Sequence, residues 1–316
     1  MKNGVTLNPI TPEIVVSSKY DINNGNLNFF KKKNLPESIN DNLKLLSEVL
    51  QRQSVYKKYA EIYSSIDEVL ESYPAFMKGK LKNTILLKAG IHNFFKTIIL
   101  PKGIELIIEP GAELQFNTGA SLISYGKISA LGTKDNPIIF HGKNDTTKWG
   151  VIGLLHEQSG GIFENCIFDG GGEAFINGVY FSGMLAAHYT NIEVRNSIFQ
   201  KAGIGGGDDA INIKHGKAFI SDSYFFKNYG DAIDLDYTKI GSEVRNSYFL
   251  ENGDDGIDIS GSKVLLQNLL VSQSKNIGVS LGERTEAVIK SIKIDGSNIA
   301  LASKNSSKVK LSGGFF

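Results

Sequence analysis

The pattern Val/Ile-x-Asn/Asp-Ser-x-Phe occurs three times in close succession, as Val194-Arg195-Asn196-Ser197-Ile198-Phe199, Ile220-Ser221-Asp222-Ser223-Tyr224-Phe225 and Val244-Arg245-Asn246-Ser247-Tyr248-Phe249. Weaker copies stand at Phe163-Glu164-Asn165-Cys166-Ile167-Phe168 and Leu266-Gln267-Asn268-Leu269-Leu270-Val271, so that from Asn165 the marker returns after 31, 26, 24 and 22 residues. Self-similarity at such a period means one small unit that cannot bury its apolar face alone and does so by stacking on copies of itself.

A second register advances in step with the first: Asp209-Ala210-Ile211-Asn212-Ile213, Asp231-Ala232-Ile233-Asp234-Leu235 and Asp255-Gly256-Ile257-Asp258-Ile259, at intervals of 22 and 24. Two registers moving together require at least two strands per unit, which makes the unit a coil and not a hairpin. Its apolar positions continue as Val279-Ser280-Leu281 and Ile299-Ala300-Leu301. Alternating apolar side chains then point inward onto their counterparts in adjacent coils while polar ones point out. Phe168, Phe199, Phe225 and Phe249 form an aromatic ladder in this reading. Asn165, Asn196, Asp222, Asn246 and Asn268 form a second ladder at a turn, where these residue types tolerate left-handed backbone.

The repeats resemble the right-handed parallel β-helix (pectin-lyase-like) superfamily, which includes pectate lyases, polygalacturonases, alginate epimerases, phage tailspikes and sugar-hydrolase-type repeats. The resemblance covers residues 80–316 and implies an all-β, right-handed parallel β-helix solenoid. It also implies a carbohydrate partner and an extracellular or cell-surface setting. Activity does not follow from it, since the architecture hosts lyases, hydrolases, epimerases and inert scaffolds alike.

Residues 1–79 are expected to form an extended and helical capping region. Between Asn40 and Met77, apolar residues such as Leu43, Leu46, Leu50, Ile62, Ile66, Val69 and Leu70 recur at helical spacing, predicting two helices with a break near Ser64-Ser65 and a stop before Pro74. Helices there would cover the first coil, which otherwise exposes apolar side chains and open strand edges. Lys31-Lys32-Lys33 reads as a solvated run, and the abrupt stop of the last coil at Phe315-Phe316 suggests a piece of a larger protein.

Charge supplies no bulk attraction to nucleic acid or to an anionic membrane, because 34 basic residues face 33 acidic ones. No apolar run is long enough to insert in a bilayer, and no signal-peptide pattern follows Met1. The single cysteine, Cys166, excludes an internal disulfide and a paired-cysteine zinc site, and its apolar setting reads as structural.

Acidic residues concentrate in three consecutive coils, at Asp208-Asp209, Asp231 and Asp254-Asp255. If Ile211, Ile233 and Ile257 face in, then Asn212, Asp234 and Asp258 face out one above another, with Lys214, Asp236 and Ser260 as the next outward line. Neighbouring strands lie about 4.8 Å apart, which brings the carboxylates of Asp234 and Asp258 close to contact. A bridging cation, a shared proton or interleaved bases would relieve the repulsion. Asp209, Asp231, Asp234, Asp236, Asp255 and Asp258, with Asp254, are the candidate oxygen ligands of a hard cation such as Ca²⁺. Resemblance to pectate lyases implies a basic residue that abstracts a proton, for which Lys214 and His215 are the candidates beside Asp234 and Asp258. A protonated carboxyl beside an ionised one would instead suit glycoside hydrolysis.

Gly207-Asp208-Asp209-Ala210-Ile211-Asn212-Ile213 and Asp255-Gly256-Ile257-Asp258-Ile259 resemble two polygalacturonase segments. They occur in reversed order here, and that family's later Gly-His-Gly and Arg-Ile-Lys motifs are absent. A competing reading is that Gly-Asp turns only cap strands and the outward acids only solvate one face, in a noncatalytic structural or adhesive module. Trp149, Tyr180, Tyr189, Tyr229 and Tyr237 could stack on sugar rings if they face outward. His92, His141, His156 and His188 show no metal-ligand spacing. Oligomeric state is left open.

Overall fold

Strands in the computed structural model, which describes residues 65–203 and 208–316, pair almost entirely in parallel with strands one coil away in sequence. The pairing generates a 17-stranded and a 9-stranded sheet, wound together into a parallel β-helix of about ten coils. One coil runs Asp209–Lys214, Ala218–Ser221, Tyr224–Phe226, and the next begins at Ile233–Asp236. The first and last of these belong to the smaller sheet, and the middle two belong to the larger one.

The bend between those middle two strands is the Asn register. Asn165, Asn196, Asp222, Asn246 and Asn268 have φ between 47° and 54°, a left-handed conformation that short polar side chains accept more readily than others. Their side chains bond along the column: Asn246 Nδ2 donates to Asp222 Oδ1 at 3.2 Å, and Asn268 Nδ2 donates to Asn246 Oδ1 at 3.1 Å. One residue on, serines do the same in the interior. The Ser197 amide donates to Ser223 Oγ and the Ser223 amide to Ser247 Oγ, each at 3.2 Å. Cys166 heads this line, its amide donating to Ser197 Oγ at 3.1 Å. Burial raises its thiol pKa, which keeps it an inert apolar group.

The core is a set of such columns. Phe140, Phe168, Phe199, Phe225 and Phe249 stack with ring centroids 4.5, 4.5, 5.1 and 4.8 Å apart and are fully buried. A second column, Phe76–Phe94–Phe116–Trp149, rises to the N-terminal end at 5.8, 5.5 and 5.0 Å. Trp149 is therefore a core residue, its Nε1 donating to the Asp169 carbonyl at 2.7 Å.

Ser65 caps the helix Ile66–Ser72, accepting from the Glu68 amide, and the helix stops before Pro74, as the sequence predicts. Val69, Tyr73 and Phe76 join the solenoid core and close its first coil. The other expected helix and Lys31-Lys32-Lys33 lie outside the described residues.

Register in the final coil corrects one expectation. Ser280 pairs with Ala302, not Ala300, and Val279 with Leu301. A slip of two residues preserves the inside-outside parity of a strand, so alternation alone could not detect it.

Phe225→Ala, in the middle of the buried ladder, is expected to lower unfolding free energy by about 3–5 kcal/mol. Tyr224→Ala, on the exposed face beside it, should cost less than about 1 kcal/mol. Urea unfolding followed by circular dichroism reads both, and equal losses would contradict the inward assignment of Phe225.

Candidate functional site

One face of the smaller sheet carries the acidic residues in the register expected, with Asp234 and Asp258 partly exposed but Asn212 and Ser280 on the same line fully buried. Asn212 pairs with Asp234, Asp234 with Asp258 and Asp258 with Ser280, while Lys214 pairs with Asp236 and Asp236 with Ser260. Ile211, Ile233 and Ile257 between them are fully buried. Asn212 Nδ2 donates to Asp234 Oδ2 at 2.5 Å, and Lys214 Nζ lies 3.3 Å from Asp236 Oδ2. The second outward line thus relieves its charge with a base, whereas in the first line only an amide meets Asp234. Asp258 Oδ1 is buried without a hydrogen-bond partner among the described residues.

The turn acids have a different task. The Asp231 amide donates to Asp209 Oδ1 at 3.2 Å, the Asp255 amide to Asp231 Oδ1 at 2.7 Å, and the Ile277 amide to Asp255 Oδ1 at 2.9 Å. Each carboxylate caps the entry to the next coil, satisfying a backbone donor that would otherwise be buried and unpaired. Asp208 Oδ2 similarly accepts the Glu173 amide at 2.9 Å.

Crowding of these groups shifts their titration. Burial first, then the charges of Asp231 and Asp234, pushes Asp209 up to about 10. Burial is also the main cause for Asp231, raised to about 8, with Asp255 and Asp258 adding repulsion. Asp234 rises to about 7 through burial and the nearby Asp236 and Asp258, opposed by Lys214 and Asn212. Asp255 and Asp208 each rise to about 6, again mainly by burial.

The expected six-residue ligand set does not close into one group. Among the described residues, the carboxylates whose oxygens all lie within 4.8 Å of one another are those of Asp231, Asp254 and Asp255. Asp209, Asp234, Asp236 and Asp258 fall outside that triad: Asp209 caps the next coil from the turn, Asp236 is drawn to Lys214, and Asp234 and Asp258 project from the strand face. The triad supplies only hard oxygen donors, and Asp231 and Asp255 each commit one oxygen to a backbone amide, which fits a cation such as Ca²⁺ in donor chemistry.

Lys214 stands on the strip. His215 begins the turn after it, in left-handed backbone with φ 57°, its ring stacked between Tyr189 at 4.9 Å and Tyr237 at 5.5 Å. Tyr189 and Tyr237 therefore belong to an outer ring ladder and remain half exposed. Sequence reasoning passed over His188, which pairs with Lys214 one coil upstream on the same outward line. It is buried against the Phe181 ring, 5.0 Å away, and burial lowers it to about 4, so it is neutral at neutral pH. The signal available was its position two residues after Ala186 in the same alternating strand.

A family model described as "Right handed beta helix region" matches residues 140–286. The chain is a right-handed parallel β-helix. Similar solved structures include the periplasmic alginate epimerase AlgG, at 9% identity over 79% of this chain and 82% of that one with a TM-score of 0.34. The Azotobacter vinelandii mannuronan C-5 epimerase AlgE4 A-module aligns at 12% identity over 81% and 90%, with a TM-score of 0.35. The Dettilon tailspike protein aligns at 10% identity over 72% and 61%, with a TM-score of 0.32. No curated protein matches the sequence significantly. Among the described residues no helix is long and apolar enough to cross a membrane.

The pKa shifts set a pH dependence. A carboxyl raised above its unfolded value near 3.8 binds its proton more tightly in the native state, so its contribution is complete at low pH and is lost as pH rises through the folded value. His188 acts in the opposite sense but only below about 6.5. Between pH 6.5 and 9, in chelator, stability should therefore fall as Asp234 and Asp231 ionise. Asp234→Asn and Asp231→Asn should each flatten the fall, measured as the change in melting temperature. A flat or rising profile in the native protein would contradict the crowding.

Proposed function

We propose that this chain is a carbohydrate-directed β-helix protein that engages an acidic polysaccharide on the sheet face that carries Asp234 and Asp258. The observation that carries this reading is the register of Asp234 against Asp258 on an outer face, with Asp234 raised to about 7. A carboxyl poised there can give or take a proton at neutral pH, which is what general acid–base chemistry needs.

The sharpest version is a cation-assisted lyase. A uronate's α-proton is weakly acidic until its carboxylate is neutralised, and Ca²⁺ held by Asp231, Asp254 and Asp255 would supply that neutralisation when bound. Lys214 or His215 would take the proton from C5, a C4–C5 double bond would form as the C4–O bond breaks, and the Asp234 carboxyl would protonate the departing oxygen. Burial, with Asp236 and Asp258 nearby, favours the protonated form of Asp234 that this role requires.

A noncatalytic scaffold is favoured by a separate observation: Asp209, Asp231 and Asp255 already serve as caps between coils. The two readings divide on a single assay. The lyase version expects chelator-sensitive absorbance from unsaturated ends when the protein meets polygalacturonate or alginate, with Asp234→Asn and Asp258→Asn each lowering the rate by about 10²–10⁴-fold while folding is retained. If no polymer of a broad panel is cut or bound, and Asp234→Ala with Asp258→Ala leaves or raises thermal stability, the scaffold reading stands.

A further inference from the structure

The two sheets are covered differently at the level of the coil that holds Ile152–Leu155 and Gly160–Glu164. On the smaller sheet an antiparallel hairpin, Ala174–Ile176 paired with Val179–Phe181, lies over the strands, its Phe181 buried against Ile123, Val151 and Ala186. On the larger sheet Ile162 is 39% exposed, and a recess of about 490 Å³ opens on the outer face of Gly160–Glu164. Ligand sites usually enclose roughly 300–1,000 Å³. Gly160 makes the recess. It pairs with Lys127 in the coil before, and Asn191 and Lys217, the residues just ahead of Ile192 and Ala218, continue its line in the two coils after. Gly160 sits in a strand without left-handed backbone, so its conformation does not call for glycine. Packing does not call for it either. A Cβ there would meet only the Asn191 carbonyl oxygen, at an ordinary 3.6 Å, whereas one on Gly161 next door would strike the Phe163 ring at 2.5 Å. What a side chain on Gly160 would do is stand in the recess.

The acceptors on the rim are engaged and the donors are not. Glu105 Oε1 accepts from Ser129 Oγ at 2.8 Å, and Glu193 is bonded to the Arg195 guanidinium. Asn191 Oδ1 accepts from the Lys217 amide at 2.9 Å, which leaves its Nδ2 without an acceptor among the described residues. Lys127 and Lys217 are exposed, and neither makes an ion pair among the described residues. Glu105 keeps its charge beside Lys127, so the uncompensated positive charge lies at the Asn191 and Lys217 end. Along the opposite wall stand Ile162 and the half-buried Phe219, on one line with Glu193 between them. Arg195 and Arg245 lie over the Phe219 ring at 5.8 and 5.3 Å and hold it in place. One wall therefore offers hydrogen-bond donors and positive charge, and the other offers apolar surface.

We infer that this recess is a second ligand site, which takes a short acidic oligosaccharide. The Lys217 ammonium and Asn191 Nδ2 hold a carboxylate, Lys127 meets the far part of the ligand, and Ile162 with Phe219 carries the apolar face of a sugar ring. The class of ligand rests on the carbohydrate reading above; the place and the chemistry do not. Asp234 and Asp258 repel a uronate unless a cation intervenes, whereas the recess meets it with unpaired cations and needs no metal. Holding a uronate and any cation-dependent chemistry on the other sheet are thus separate properties of the chain.

The test is calorimetric titration of the full chain with trigalacturonate and with trimannuronate, in chelator and in Ca²⁺. At least one of them should bind in chelator, more weakly as salt is raised. Gly160→Phe fills the recess from a position where a side chain meets no clash, and should abolish that binding with the melting temperature unchanged. Lys217→Gln should weaken it by about tenfold, the loss expected of one charge-assisted hydrogen bond. Binding in chelator that Gly160→Phe leaves intact, or that neutral cellotriose or the small dianion succinate matches, overturns the inference. Binding that appears only with Ca²⁺ overturns it too and leaves the carbohydrate reading standing. No binding of either uronate under either condition overturns the two together. Should Gly160→Phe not fold, Lys217→Gln on the exposed rim decides: an affinity it leaves unaltered overturns the inference.

Discussion

Hydrogen bonds between coils, and the residue-for-residue register they enforce, are what every other feature depends on. Parallel pairing sets each side chain about 4.8 Å from its counterpart one coil away. Identical chemistry is thereby forced into columns: phenylalanines and isoleucines inside, asparagines at the bend, serines beneath them. Where the repeated residue is apolar or amide, stacking stabilises. Where it is aspartate, the same geometry concentrates charge, and the fold must cap it, pair it or protonate it.

All three responses are visible within three coils. Asp209, Asp231 and Asp255 receive amides from the coil that follows. Asp236 receives Lys214. Asp234 has Asn212 on one side and Asp258 on the other; burial, with the charges of Asp236 and Asp258, lifts it into the neutral range against the opposing hydrogen bond from Asn212. Crowded carboxyls on a strand face, only partly exposed, differ from carboxyls at a turn that complete the backbone. That contrast separates the candidate site from the structural acids around it.

Much of this was legible in the sequence because a column is a periodicity. The Asn marker and the Ile-x-Ile strands carry the coil, the Phe ladder and the pairing of Asp234 with Asp258 directly. Less legible was anything that depends on where a turn points. The amides that Asp231 and Asp255 accept lie 22 to 24 residues away and leave no local trace. Ala302 replaced Ala300 because a two-residue slip is silent to alternation. The hairpin at 174–181 was missed for a related reason: it breaks the period, so a search for repeats treats it as spacing between Asn165 and Asn196. His188 was judged by metal spacing when its outward position beside Lys214 was the informative property.

The central claim is that Asp234 and Asp258 are vertical neighbours whose charges act on each other. Site-resolved ¹³C NMR titration of the Asp234 carboxyl measures this directly, in the native protein and in Asp258→Asn. The account predicts a midpoint raised to about 7 that moves down when Asp258 loses its charge. A midpoint near the ordinary carboxylate value, unmoved by Asp258→Asn, would contradict it.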